Sequence, residues 1–206
     1  MNLLNLVLAS SSPYRKNLLD RFGLEFACVA PGIDERPLEA ETPAATAARL
    51  AEAKARTVAS QMSDALVIGS DQLAVMDGRV LGKPGTRDAN IAQLEAASGR
   101  WVQFLTGVCL LNATSGACQV EVVEYSVEFR LLERREIECY VDREQPFDCA
   151  GGFKAEGLGV SLFRRMRGDD PTALIGLPLI SLRNMLDKEG VQVPSPAPDG
   201  RRRGHF

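Results

Sequence analysis

Apolar and polar positions along the chain follow two periods, and the switches between them mark out the elements. The apolar run "LVLAS" at 6–10 predicts a buried strand. Ser12 as N-cap and Pro13 at the first helical position then start a short helix through Phe22, which Gly23 ends. "EFACVAP" at 25–31 predicts a second short strand, and "GIDERPLEAETP" at 32–43 a polar, proline-bearing loop. The next pattern has the helical period over about 44–62, with Ala47, Leu50, Ala51 and Val58 on one face.

From Ala65 the pattern predicts a strand ending at Gly69, then a second strand and an Asp77-Gly78 hairpin turn. A helix capped at Thr86 runs to Gly99. Residues 101–130 read as two long strands around a Ser115-Gly116 turn. A helix at 133–144, a glycine-rich loop at 146–159, a strand at 160–169 and a helix at 178–190 complete the order. Interleaved helices and long hairpins imply an α/β fold with a mixed sheet. The expected organisation is one domain over 1–193 and a disordered tail over 194–206, where three prolines and a basic triplet carry almost no apolar content.

Composition narrows the chemistry. With 206 residues and 45% hydrophobic content the chain can bury a substantial core. A net charge of -3 and a pI near 5.4 argue against a nucleic-acid binder. Five cysteines without CxxC spacing, and no apolar leader or long apolar span, read as a cytoplasmic protein with reduced thiols and no membrane contact. The single histidine is His205, in the tail, so Ser-His, Cys-His and histidine-metal chemistry lose their central residue. No Walker A or GxGxxG pattern is present.

Candidate chemistry begins at the first helix. Arg15 and Lys16 stand in its first turn, where the dipole already favours anions, so "SSSPYR" reads as a helix start built for an external anion. Asp71, after "VIGS", is placed at the C-terminal end of a strand, where open α/β sheets put their ligands; a turn cap is an equal reading. Lys54 falls in the apolar stripe of the long helix, and either snorkels to water, the ordinary behaviour of a lysine stem, or reaches into a cleft. Asp34, Glu35 and Lys83 lie on loops, where each alone reads as solvated. Together with Ser10 they form an inventory suited to a triphosphate, bases for phosphates and acids for a divalent metal.

"LASSSPYRKNLL" at the start, "DE" at 34–35, "GSDQ" at 69–72, "GKP" at 82–84 and "GLPL" at 176–179 resemble the Maf-like nucleoside triphosphate pyrophosphatases, over nearly everything but the tail. The resemblance implies an elongated mixed-sheet fold with two lobes around a cleft, in a family where dimers are common. It implies hydrolysis of a nucleoside triphosphate to the monophosphate and pyrophosphate, with a divalent cation, magnesium or manganese, as cofactor. By motif, Ser10, Arg15, Lys54 and Lys83 would meet phosphates, Glu35 and Asp71 would hold the metal, and Asp71 would activate water.

Three positions separate branches of that family. The branch acting on dTTP and UTP has arginine, threonine and glutamine where this chain has Tyr14, Gln72 and Glu156. This set resembles the branch preferring 7-methyl-GTP. The base explains why: N7 methylation makes the purine cationic, so an aromatic face at Tyr14 gains a cation-π contribution, and Glu156 can accept from the guanine N1-H and exocyclic amine. Alternatives are other noncanonical or pyrimidine triphosphates, and a nucleotide-sensing regulator of septum formation.

Overall fold

The computed structural model describes residues 5–194; the tail expected over 194–206 lies outside these but for its first residue. Strands β1 (Asn5–Ala9), β2 (Ala27–Cys28), β3 (Ala65–Met76), β4 (Arg79–Leu81), β5 (Trp101–Asn112), β6 (Cys118–Phe129) and β7 (Phe163–Arg167) form one sheet. Its order is β2-β1-β3-β5-β6-β7, with β4 paired to β3. β1 is parallel to β2 and β3, and the remaining pairs are antiparallel. Helices α1 (Pro13–Leu19), α2 (Pro43–Ala59), α3 (Arg87–Ala97), α4 (Arg134–Glu144) and α5 (Leu179–Lys188) flank it, which is the mixed α/β class expected. No helix among the described residues is long and apolar enough to cross a membrane.

The caps follow the sequence signals. The side chains of Ser12, Thr42 and Thr86 each accept from a backbone N-H in the first turn of α1, α2 and α3, and Pro13 and Pro43 open their helices. Several boundaries differ from expectation, among them the strand expected over 25–31, which pairs only over Ala27–Cys28, and the long helix, which ends at Ala59. α1 ends at Leu19, and Asp20–Phe22 tighten into a 3₁₀ turn before Gly23 takes a left-handed φ of 65°. The expected strand at 160–169 begins only at Phe163, because Leu158–Leu162 form another 3₁₀ turn.

The larger correction concerns Asp71. β3 does not end at Gly69; it runs unbroken for 12 residues, and Asp71 sits in its middle, paired with Gly107. The reason lies in two cores that share the long strands. At one end Leu66 and Ile68 face α1 and α5 through Leu18, Leu19, Leu182 and Leu186, while Val67 on the other face meets Ala51, Ala55 and Val58 of α2. At the other end Ala74, Phe104 and Phe129 pack with Ile91, Leu94, Ile137 and Tyr140 of α3 and α4. Strands of this length span roughly 40 Å, so β3 and β5 cross from one lobe to the other. The polar "GSDQ" segment is the crossing point rather than a strand end.

Two glycines let α2 reach that point. A side chain on Gly69 would lie 2.0 Å from the Ala51 carbonyl, and one on Gly107 would lie 2.2 Å from the Ala47 carbonyl. Only glycine leaves room for the helix backbone to rest on β3 and β5. This contact sets Lys54 above Asp71.

Candidate active site

Between the two lobes lies a cleft of about 660 Å³, and nine residues singled out in the sequence line it: Ser10, Tyr14, Arg15, Glu35, Lys54, Asp71, Gln72, Lys83 and Glu156. Lys16 does not; it turns outward to pair with Asp20 at 2.8 Å, one helical turn on.

At the floor of the cleft, Lys54 is only 4% exposed. Its Nζ donates to Asp71 Oδ1 at 2.6 Å and lies 2.6 Å from Glu35 Oε1. The snorkelling reading of this lysine is therefore wrong: its ammonium is held in the cleft, against the strand crossing, rather than carried out to bulk water. A buried ammonium requires partners, and the two carboxylates supply them. Burial pushes the Glu35 pKa up, but its bond to Lys54 and the charges of Lys54, Lys83 and Arg15 outweigh this and lower it. Lys54 engages Oδ1 of Asp71, which leaves Oδ2 to accept from a water.

Glu35 reaches this point from an anchored loop. Glu41 accepts from Arg49 Nε and Nη2 at 2.7 and 2.8 Å, from Thr46 Oγ1 at 2.9 Å and from the Leu38 N-H at 3.1 Å. Arg49 also donates to the Arg36 carbonyl at 3.2 Å. Asp34 beside it is taken up by Arg36.

Arg15 donates through Nε to the Gly176 carbonyl at 2.8 Å and through Nη1 to Ser10 Oγ at 3.5 Å. Burial lowers its pKa, against the charges of Asp71 and Glu35, which raise it. The guanidinium stays charged, and its remaining N-H donors form a fork suited to phosphate oxygens. Ser12 caps α1 with its own hydroxyl, so of the serine run Ser10 is the buried hydroxyl in the cleft.

A second group in the cleft is aromatic and acidic. Tyr14 Oη donates toward Asp148 Oδ1 at 3.5 Å, and the Cys149 thiol donates toward Tyr14 Oη at 3.6 Å. Burial, then the Cys149 bond and the charges of Asp148 and Glu156, raise the Tyr14 pKa, so the ring stays a neutral phenol. Burial also lifts Cys149 to about 11, keeping it a thiol. Gln72 directs its amide nitrogen to the carbonyls of Ala173 and Leu174 at 2.7 and 3.1 Å and to Thr106 Oγ1 at 3.1 Å.

The donor set can be tested against a divalent cation. Glu35 and Asp71 already converge on one cationic point, the Lys54 ammonium. Among the described residues no group of three or more His, Cys, Asp or Glu gathers into a protein-made cage. Two carboxylates with the rest of the shell from phosphates and water is the habit of magnesium, so the residues fit such an ion.

Sequence reasoning did not find the carbonyls of 173–176, on which Arg15 and Gln72 both rest. Backbone acceptors carry no residue-type signal; the one pointer was Gly176, whose φ of 118° suits glycine alone.

A family model described as Maf-like protein matches residues 5–189. A Pseudomonas syringae pv. tomato protein named 7-methyl-GTP pyrophosphatase is 56% identical over 190 residues, covering 92% of this chain and 99% of that relative. Relatives of the same name from Alcanivorax borkumensis and Nitrosococcus oceani are 54% and 52% identical, covering 92% and 91% of this chain and 96% and 94% of theirs. Among solved structures the Staphylococcus aureus Ham1 protein matches with a TM-score of 0.50 at 15% identity, covering 90% of this chain and 99% of that one, a likeness of fold alone.

Proposed function

The chain belongs to the Maf-like family, and on that premise we propose that it hydrolyses 7-methyl-GTP to 7-methyl-GMP and pyrophosphate. The observation that carries the reaction class is the buried Lys54 ammonium between Asp71 and Glu35, beside Arg15, at the floor of an open cleft. As partners of Lys54 the two carboxylates also repel phosphate, and a mere binding site would meet the ligand with the lysine alone. A hydrolase needs a carboxylate, to take a proton from water.

In this reading the triphosphate lies along Ser10, Arg15, Lys54 and Lys83. Asp71 accepts the proton of a water that attacks the α-phosphorus, and the bond to the bridging oxygen breaks. Arg15 holds phosphate oxygens alike in substrate and transition state, and the charge that develops on the departing pyrophosphate is met by Lys83. Glu35 and Asp71 would hold a magnesium or manganese ion, which when bound neutralises phosphate charge.

The base reading is supported by Tyr14 and Glu156 in the cleft and by the name of relatives more than half identical. A methylated guanine is a cation with two donors on its Watson–Crick edge, and a neutral phenol ring beside carboxylates suits it.

The test is pyrophosphate release from 7-methyl-GTP, GTP, UTP and dTTP, with a divalent cation and with excess chelator. The expected result is the highest specificity constant for 7-methyl-GTP and silence in chelator. Preference for UTP or dTTP would move the chain to the pyrimidine branch. Tight binding of every triphosphate without turnover would make it a nucleotide sensor.

A further inference from the structure

The segment between β7 and α5 contains a buried carboxylate that the reaction above does not use. Asp170 is 2% exposed and forms no ion pair with any described residue. Its Oδ1 accepts from the Thr172 N-H at 2.9 Å and from Thr172 Oγ1 at 2.5 Å, and its Oδ2 accepts from the Ile180 N-H at 2.8 Å. Thr172 Oγ1 in turn accepts from the Leu179 N-H at 2.8 Å. One carboxylate and one hydroxyl thus tie the start of the segment to the first turn of α5, and residues 170–180 close into an arch.

The inner side of the arch is made of backbone carbonyls. Ala173 O receives Gln72 and the Thr106 hydroxyl, and Leu174 O receives Gln72. Gly176 O accepts from Arg15 Nε at 2.8 Å, and the Ser70 hydroxyl lies 2.9 Å from it. The bond to the Gly176 carbonyl is the shorter of the two that the Arg15 side chain makes. A carbonyl on a free loop could not orient a guanidinium; one on an arch fixed at both ends can.

We propose that Asp170 is a positioning residue for the phosphates: through Thr172 it closes the arch that holds the Gly176 carbonyl, and with it the Arg15 guanidinium, at the phosphate end of the cleft. The proposal rests on the triphosphate reading of that cleft. The plainer role, a cap on α5, is part of the same geometry, since Ile180 lies in the first turn. A cap alone would affect the amount of folded protein and nothing else, so the two roles separate in kinetics.

The experiment compares Asp170→Asn, Thr172→Val and Thr172→Ser with Arg15→Gln in the full chain. Thr172→Val should raise KM for 7-methyl-GTP about tenfold and leave kcat within about twofold, the size expected when a charged donor loses its alignment. Thr172→Ser keeps the hydroxyl and should restore KM. Binding of inorganic tripolyphosphate, followed by calorimetry, should weaken by the same factor, and the ratio of 7-methyl-GTP to GTP specificity constants should not move. Adding Thr172→Val to Arg15→Gln should cost nothing further. A fall in kcat with KM and tripolyphosphate binding unchanged, or additive losses in the double variant, would overturn the proposal even if Asp170→Asn failed to fold. If the wild type turns over no triphosphate, the hydrolase reading fails, while tripolyphosphate binding still decides the role of the arch.

Discussion

Lys54 on α2 and Asp71 in the middle of β3 meet at 2.6 Å, both nearly buried, because Gly69 and Gly107 let the helix backbone rest directly on the strands. The pair couples the packing of a helix on a sheet to the chemistry of the cleft. The base proposed for the reaction is held by the same contact that seals the lobe junction.

Asp71→Asn keeps the shape and removes the base. Turnover should fall about 10²- to 10⁴-fold, the usual contribution of a general base. Lys54 retains Glu35, so the thermal midpoint and nucleotide affinity should change little. Measuring kcat alongside nucleotide binding decides it, and substantial turnover in the variant would remove Asp71 from that role.

Gly107→Ala tests the helix contact. The added methyl would overlap the Ala47 carbonyl, and overpacking of this kind costs about 1–3 kcal/mol or more. α2 should lift, separating Lys54 from Asp71, so activity should fall further than stability explains. A variant as active as wild type per folded molecule, scored by chemical denaturation and kcat, would show that the close approach does not set the site.

Much of this was legible in the sequence. Caps at Ser12, Thr42 and Thr86, and the period switches, reflect local hydrogen bonding and burial that residue type encodes directly. The mid-strand position of Asp71 was not. Gly, Ser and Asp in a row resemble a strand end, and here they are a lobe crossing whose glycine serves a distant helix. Lys54 was ambiguous for a similar reason: periodicity places a lysine on a buried face but cannot supply its partners, which stand 17 residues downstream and on a separate loop. The arch was illegible because its acceptors are carbonyls.

The loop bearing Glu35 should show its anchor in acid. The Arg49 bond is the main cause that holds Glu41 down from 4.5 to about 2, with smaller help from the Leu38 N-H and Thr46 and against burial. A depressed carboxylate stabilises the fold fully above its unfolded value, and that contribution is lost as pH falls through the folded one. Glu41→Gln should therefore be less stable than wild type at neutral pH, and the gap should close between about 4.5 and 2. Thermal midpoints of both proteins across that range test it; a constant gap would mean the contribution is steric.

The base end of the cleft gives the sharpest expectation. A neutral Tyr14 ring can stack on a cationic purine, so Tyr14→Ala should cost about 0.5–2 kcal/mol in the specificity constant for 7-methyl-GTP. Unmethylated GTP lacks the charge and should suffer less. Glu156 offers only acceptors, matching the two donors of guanine, and Glu156→Gln sets an amide donor against one of them. A donor left unpaired on burial costs about 1–3 kcal/mol, and the same amide can donate to a pyrimidine carbonyl. Glu156→Gln should therefore lose 7-methyl-GTP and GTP together and gain relative to both on UTP. The readout is the set of specificity constants for 7-methyl-GTP, GTP and UTP in wild type and both variants. Equal losses on all three in both variants would place Tyr14 and Glu156 outside base recognition, and would leave the hydrolysis at Asp71 untouched.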